Sequence, residues 1–206
     1  MTSPPTRQRQ RSMATRRRLL DATVECLVER GWTGTTTTEV CARAGVSRGA
    51  QLHHYPTKAD LVAAAVGHLA ERRGGELRAE AAARAAGRPE DATERVARTL
   101  DLLAGAFTGP RYAAALELWV AARTDPELRA ALLPVEARLG REMYRLAVDL
   151  LGADESRPRV REAVRTTLDL VRGMGVASLL TDDPGRRRRH LATWAGQLVA
   201  VLEGER

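Results

Sequence analysis

Arg48, Gln51, His53 and His54 fall within seven consecutive residues, 48–54, headed by Ser47 and followed closely by Lys58. The planar fork of an arginine fits the two acceptors on a guanine edge, and a glutamine amide matches the donor–acceptor pair of adenine. The two histidines can donate to bases or to phosphates. Gly49 and Ala50 sit between them and are small, so a helix carrying them can lie deep in a groove. Upstream, Thr35 and Thr36 stand at the start of a short helical pattern, where hydroxyls and free backbone N–H groups suit a phosphate. Lys58, the one lysine in the chain, falls in the first turn of the next helical pattern. A cation there opposes the helix dipole, which points to an anion that it meets. The chemistry implied is recognition of a polyanion, with base edges read by side chains.

Other chemistries find little support. There is no GxSxG, phosphate-binding loop, dinucleotide fingerprint or HExxH, so no catalytic residue and no cofactor is assigned. Asp182 and Asp183 precede Pro184 and read as a helix cap. His53 and His54 point about 100° apart on a helix, with no Asp, Glu or Cys at ligand spacing, so no metal is expected. Cys26 and Cys41 form no CxxC pair and fall within helical patterns as small buried side chains.

The elements that must carry these residues are helical. Of the 206 residues 44% are hydrophobic but only 3% aromatic, so the core is built from Ala, Leu and Val. Ala and Leu favour helices, and the all-α class follows. A first helix runs from Thr15 to Arg30, with Leu20, Val24 and Leu27 on one face, and Gly31 ends it. Thr36 and Glu39 make a capping box for a short helix that Gly45 closes. Ser47 caps another, which stops before Pro56. Thr57, with Asp60 three residues on, caps a fourth that reaches Arg73 before Gly74 and Gly75 interrupt it. Two short helices joined by Ala44-Gly45-Val46 make a helix-turn-helix, with Val40, Val46 and Leu52 packing inwards. Beyond it, breaks at Gly87–Pro89, Gly109–Pro110, Asp125–Pro126, Gly152–Pro158 and Asp182–Gly185 imply five further helices, one of them kinked at Pro134.

Charge agrees with a polyanion partner. Residues 1–60 hold ten basic and five acidic residues, against 23 and 21 over the rest, within a net charge of +7. Residues 1–14, with Pro4, Pro5, Arg7, Arg9 and Arg11, read as a disordered basic arm. That arm, with Arg16, Arg17 and Arg18, is placed to touch phosphates or a neighbouring minor groove. No apolar run reaches the length of a membrane span and no secretory signal is visible, so no membrane partner and a cytoplasmic location are expected.

The segment GWTGTTTTEVCARAGVSRGAQLHHYPTKADL, Gly31 to Leu61, resembles the DNA-binding domain of the TetR/AcrR family of bacterial regulators. Trp32 fills the family's aromatic place. Ala44, Gly45, Val46, Ser47 and Gly49 match directly, as do His54, Tyr55, Lys58 and Leu61, and Arg16 to Gly31 resembles the first helix. One position departs: the family's phosphate-contacting tyrosine is Leu52 here, and leucine cannot make that contact. The resemblance implies a DNA-binding domain over 15–73, including the fourth helix as linker. A larger helical domain over 74–206 would dimerise and often bind a small effector. The function implied is a transcriptional regulator, usually a repressor released from a palindromic operator. A helical interaction module with degraded DNA binding is the alternative.

The sequence supports a homodimer independently. The last helix places Leu191, Trp194, Ala195, Leu198 and Leu202 on one face, and the helix before it Val164, Leu168 and Val171. Such faces can pair across a two-fold axis. Phe107, Tyr112, Trp119, Met143, Tyr144 and Met174 are the larger side chains available to line an effector pocket, with Arg123 or Glu117 to orient the ligand.

Overall fold

Of the first helical face anticipated from sequence, Leu20 and Leu27 are buried and Val24 is half-buried, with Leu19 and Thr23 buried beside them. The computed structural model describes residues 7–85, 91–181 and 183–204. Its elements are α1 (Arg7–Gly34), α2 (Thr37–Ala44), α3 (Arg48–His54), α4 (Lys58–Ala85), α5 (Ala92–Ala106), α6 (Gly109–Ala122), α7 (Pro126–Leu151), α8 (Pro158–Ala177) and α9 (Pro184–Glu203). There is no strand among the described residues, so the all-α class holds. None of the described helices is long and apolar enough to cross a membrane.

Two boundaries differ from expectation. The basic arm is helical from Arg7, not disordered through residue 14. Residues 7–14 contain no Gly or Pro, and Arg and Gln propagate a helix that the buried part of α1 has already nucleated. Residues 1–6 lie outside the described residues, as do the break at Gly87–Pro89 and Asp182. Gly74 and Gly75 do not interrupt α4. Each glycine costs a helix only about 1 kcal/mol, and the fully buried Leu77 anchors the turn beyond them. Pro134 lies within α7, which runs continuously from Pro126 to Leu151.

The chain divides into two compact units, and the division is not at residue 73. The first unit comprises Met1–Ala70 with Ala114–Ala137, and the second Glu71–Ala113 with Arg138–Arg206. In the first, Leu19, Leu20 and Cys26 of α1 pack with Val40 and Ala44 of α2, Tyr55, and Leu61 and Ala65 of α4. A second cluster joins Leu27, Ala59, Val62 and Ala63 to Leu118 and Ala122 of α6 and Leu128 and Leu132 of α7. The expectation that sequence position alone separates the two units therefore fails: the C-terminal half of α6 and the first part of α7 complete the core around the helix-turn-helix.

The second unit is held mainly by α5, α8 and α9 packing on one another. The Trp194 indole N–H donates to Thr167 Oγ1 at 2.9 Å across α8 and α9. The Arg157 guanidinium donates to the Leu202 and Val201 carbonyls at 2.9 and 3.0 Å, satisfying the C-terminal end of α9.

Within α1, Gly31 leaves the helix at φ 65° and ψ −171°. A Cβ there would stand 2.1 Å from Glu117 Oε1. Backbone strain of this kind costs about 1–3 kcal/mol for a non-glycine residue. Gly31→Ala is expected to lower the urea unfolding free energy by about 3 kcal/mol. Combining it with Glu117→Ala should cost less than the two single changes summed, because the collision is relieved and the strain is not.

Candidate nucleic-acid interface

Two short helices need their ends satisfied before they can present anything. The Thr36 hydroxyl accepts the Glu39 N–H at 3.2 Å and caps α2. The Ser47 hydroxyl accepts the Ala50 N–H at 3.2 Å and caps α3. Each such cap contributes about 1 kcal/mol. Between the helices Gly45 takes a left-handed conformation, φ 60° and ψ 42°, and its N–H returns to the last turn of α2. From α1, Arg18 donates to the Gly45 carbonyl at 3.5 Å. Arg16 Nε donates to the Tyr55 hydroxyl at 2.8 Å, with the guanidinium carbon 5.8 Å from the ring centre. One helix thus steadies both the turn and the far end of α3.

The arrangement exposes Ser47, Arg48, Gly49, Leu52 and His53, with Ala50 and His54 half-buried. Arg48 extends from the first turn of α3 and donates to Thr37 Oγ1 at 3.1 Å, beside the start of α2. Arg17 is exposed on α1, 3.7 Å from Asp21, and Arg16 keeps an exposed side chain beside Tyr55. Thr36 is exposed at the mouth of α2. Arg16, Arg17, Thr36, Ser47, Arg48, Gly49, Ala50, His53 and His54 therefore remain accessible on the first unit.

Three of the sequence-derived roles are overturned, and Lys58 is engaged within its own chain. Gln51 is fully buried, its Nε2 donating to the Tyr55 carbonyl at 2.5 Å, so it is not free to read adenine. Its Oε1 meets no donor among the described residues, a condition that costs about 1–3 kcal/mol. Leu52, expected to pack inwards, is 45% exposed. A seven-residue helix has one inward stripe, and the 51–55 spacing occupies it. Thr35 is buried and both its N–H and its hydroxyl donate to the Gly31 carbonyl, at 3.2 and 2.7 Å, so it offers nothing to a phosphate. Lys58 Nζ donates to the Trp32 carbonyl at 2.6 Å and lies 3.7 Å from the Trp32 ring centre. Burial pushes the amine's pKa down while Asp125 opposes the shift. The anion-like group that Lys58 meets is thus a carbonyl and a π face of its own chain.

Glu117 is the residue that sequence reasoning placed elsewhere. Its carboxylate accepts the Trp32 N–H at 2.7 Å, closing the turn after Gly31 instead of orienting a ligand. No local signal marked this contact, because the two residues lie 85 positions apart in the chain.

The comparisons with known proteins bear on this geometry. Residues 19–65 match the model of bacterial regulatory proteins of the tetR family. The HTH-type transcriptional regulator CymR of Pseudomonas putida is 35% identical over 186 residues, covering 88% of each chain. The chain belongs to the TetR family of bacterial regulators. A transcriptional regulator structure from Pseudomonas aeruginosa PAO1 has a TM-score of 0.67 and 26% identity, covering 90% of each chain. The multidrug binding protein EbrR complexed with ethidium has a TM-score of 0.63 and 23% identity, over 87% of this chain and 98% of that one, a likeness of fold. As a TetR-family protein the chain is a DNA-binding, helix-turn-helix transcriptional regulator.

In the second unit of this TetR-family regulator, the expected pocket and dimer residues are distributed differently. Glu117, Trp119 and Arg123 belong to the first unit, the other five pocket candidates to the second. Phe107 and Tyr112 are buried edge to face, 5.5 Å apart, and the Tyr112 hydroxyl donates to the Arg172 carbonyl at 3.1 Å. Met143 packs on the cluster of Leu77, Ala81, Leu102 and Leu146. Tyr144 lies under the Arg165 guanidinium, 6.0 Å away. Met174 lines a cleft with Ser178, Asp183 and His190 of about 20 Å³, room for about one water. Phe107, Tyr112 and Met143 thus pack into apolar clusters, whereas Trp119, Tyr144 and Met174 are half-buried and Arg123 is exposed. The dimer residues are also corrected: Val164, Leu168, Val171, Leu191, Ala195 and Leu198 are buried inside the single chain. Trp194 and Leu202 are half-buried. Helical periodicity found the inner faces of α8 and α9, which α5 covers.

Burial, with the charges of His53 and Arg16, pushes the His54 imidazole below its ordinary pKa of 6.5. The unfolded chain then takes up a proton more readily than the folded one, so stability falls as pH drops below about 6.5. His54→Gln should show a shallower loss of unfolding free energy than the parent between neutral and mildly acidic pH. An unchanged slope in denaturant titrations would remove His54 as the cause.

Proposed function

We propose that this TetR-family regulator acts in the cytoplasm as a homodimeric repressor that holds a palindromic operator through α3 and releases it when a small molecule binds. The observation that carries the reading is the outward face of α3. Arg48 stands at its exposed N-terminal turn, next to Gly49, where an added Cβ would meet nothing within 4 Å. That face can approach base edges closely, and Arg48 suits a guanine. Arg16, Arg17, Thr36 and Ser47 surround it with groups for phosphates, and His53 and His54 add donors. Two copies would place their recognition helices about 34–36 Å apart to meet successive major grooves.

For the dimer, the outer faces of α8 and α9 replace the inner ones. α8 exposes Gly173, Val176 and Ala177, and α9 exposes Ala192, Thr193 and Gly196. These residues are small and recur at helical spacing, so two such helix pairs could approach closely around a two-fold axis. Leu179 and Leu180 lie just past α8, 48% and 98% exposed. For the effector, the support is EbrR, which is described in complex with ethidium and shares the fold. Pockets for drug-sized ligands measure about 300–1,000 Å³, so in this reading the ligand favours an arrangement of the second unit in which the helices stand further apart. A ligand that prefers the separated arrangement shifts the population towards it.

Selection from a random duplex library at near-physiological salt tests the reading. A palindromic motif is expected, and Arg48→Ala should weaken binding by about 1–3 kcal/mol and relax the choice of one guanine. Weak, sequence-independent retention would instead favour an interaction module. The dimer has its own test. An added Cβ at Gly196 meets no neighbour within 4 Å in the single chain. Gly196→Arg should therefore halve the sedimenting mass without lowering the melting temperature of the monomer fold. A variant that stays dimeric would move the interface elsewhere.

A further inference from the structure

The helix that carries Arg48 has its polarity reversed at two adjacent positions. Gln51 is fully buried with an oxygen that meets no donor among the described residues, while Leu52 beside it is 45% exposed. Leucine is among the residues most often buried, and glutamine is mostly exposed. The opposite order would bury the leucine and free the amide to water. The chain forgoes that stabilisation and presents an apolar group on the surface.

Position supplies the use. Leu52 lies four residues after Arg48 and three after Gly49, so all three share the outward stripe of α3. His53 is exposed next to it, and Gly49 leaves open space. A leucine cannot sort donors from acceptors. In the major groove the apolar feature that separates one base from the others is the 5-methyl group of thymine.

We propose that Leu52 is a specificity-determining residue of the DNA interface, its isobutyl group packing on a thymine methyl near the guanine read by Arg48. The inference rests on the reading of α3 as the recognition helix. Four residues of helix rise about 6 Å, close to two base-pair steps of about 3.4 Å. The thymine therefore falls within about two base pairs of the Arg48-dependent guanine in each half-site. The position in the family that holds a phosphate-contacting tyrosine becomes, in this chain, a base reader.

The experiment replaces each thymine of the selected operator with deoxyuridine, which removes the methyl group alone, and measures the affinity of the full-length chain. One half-site position within two base pairs of that guanine should lose about fourfold, the worth of one buried methyl group. Substituting both half-sites should cost roughly fifteenfold. Leu52→Ala should weaken binding to the thymine duplex to a similar extent, bind thymine and deoxyuridine duplexes equally at that position, and keep the parent's salt slope, because no phosphate contact is lost. Leu52 is exposed, so the variant should keep its fold, which thermal unfolding would verify. Equal affinity of the parent for thymine and deoxyuridine at every position overturns the role of Leu52 alone, as does a Leu52→Ala variant that still discriminates. Absence of any preferred duplex overturns the reading of α3 and the inference together.

Discussion

A helix of seven residues cannot hold itself in water, and α3 has seven. Everything around it follows from that limit. Its start is capped by Ser47, its inward stripe is taken by Gln51 and Tyr55, and its end is held by a hydrogen bond from Arg16 to the Tyr55 hydroxyl. The residues left over, Arg48, Gly49, Leu52 and His53, are the ones α3 presents to solvent. Support and display divide the helix between them, and a residue used for one is lost to the other.

The same economy explains the knot behind the helix-turn-helix. Gly31 bends the chain, Glu117 takes the Trp32 N–H, and Lys58 takes the Trp32 carbonyl and ring face. Three helices, α1, α4 and α6, meet at one dipeptide. Leu27, Val62 and Leu118 bury beside it, so polar closure and apolar packing fix the same geometry. Charges at the surface, such as Arg43 with Glu29 at 2.6 Å and Arg30 with Glu39 at 2.8 Å, add modest support by comparison.

Local signals were legible in the sequence. The caps at Thr36 and Ser47, the left-handed turn at Gly45 and the Asp183 cap of α9 all stand where side-chain chemistry put them. The helical class and the Arg48 face were legible for the same reason. What was not legible depended on tertiary partners. Gln51, Thr35 and Lys58 carry polar groups that sequence reasoning sends outward, but each finds a carbonyl to bond within its own chain. Periodicity identified the apolar stripes of α8 and α9 correctly, yet a stripe does not say whether its cover comes from the same chain or another. The second unit claims Leu191 and Leu198 for its own core. The division between units was hidden because α4, α6 and α7 each contribute to both.

The engagement of Lys58 makes the chain unusual for amine chemistry. All the other basic residues are arginines, which acylating reagents leave alone, so side-chain acylation of lysine has one address. That amine is partly buried and bonded to the Trp32 carbonyl. Its rate of acylation, read on the peptide that carries Lys58, thus reports how often its contact with Trp32 opens.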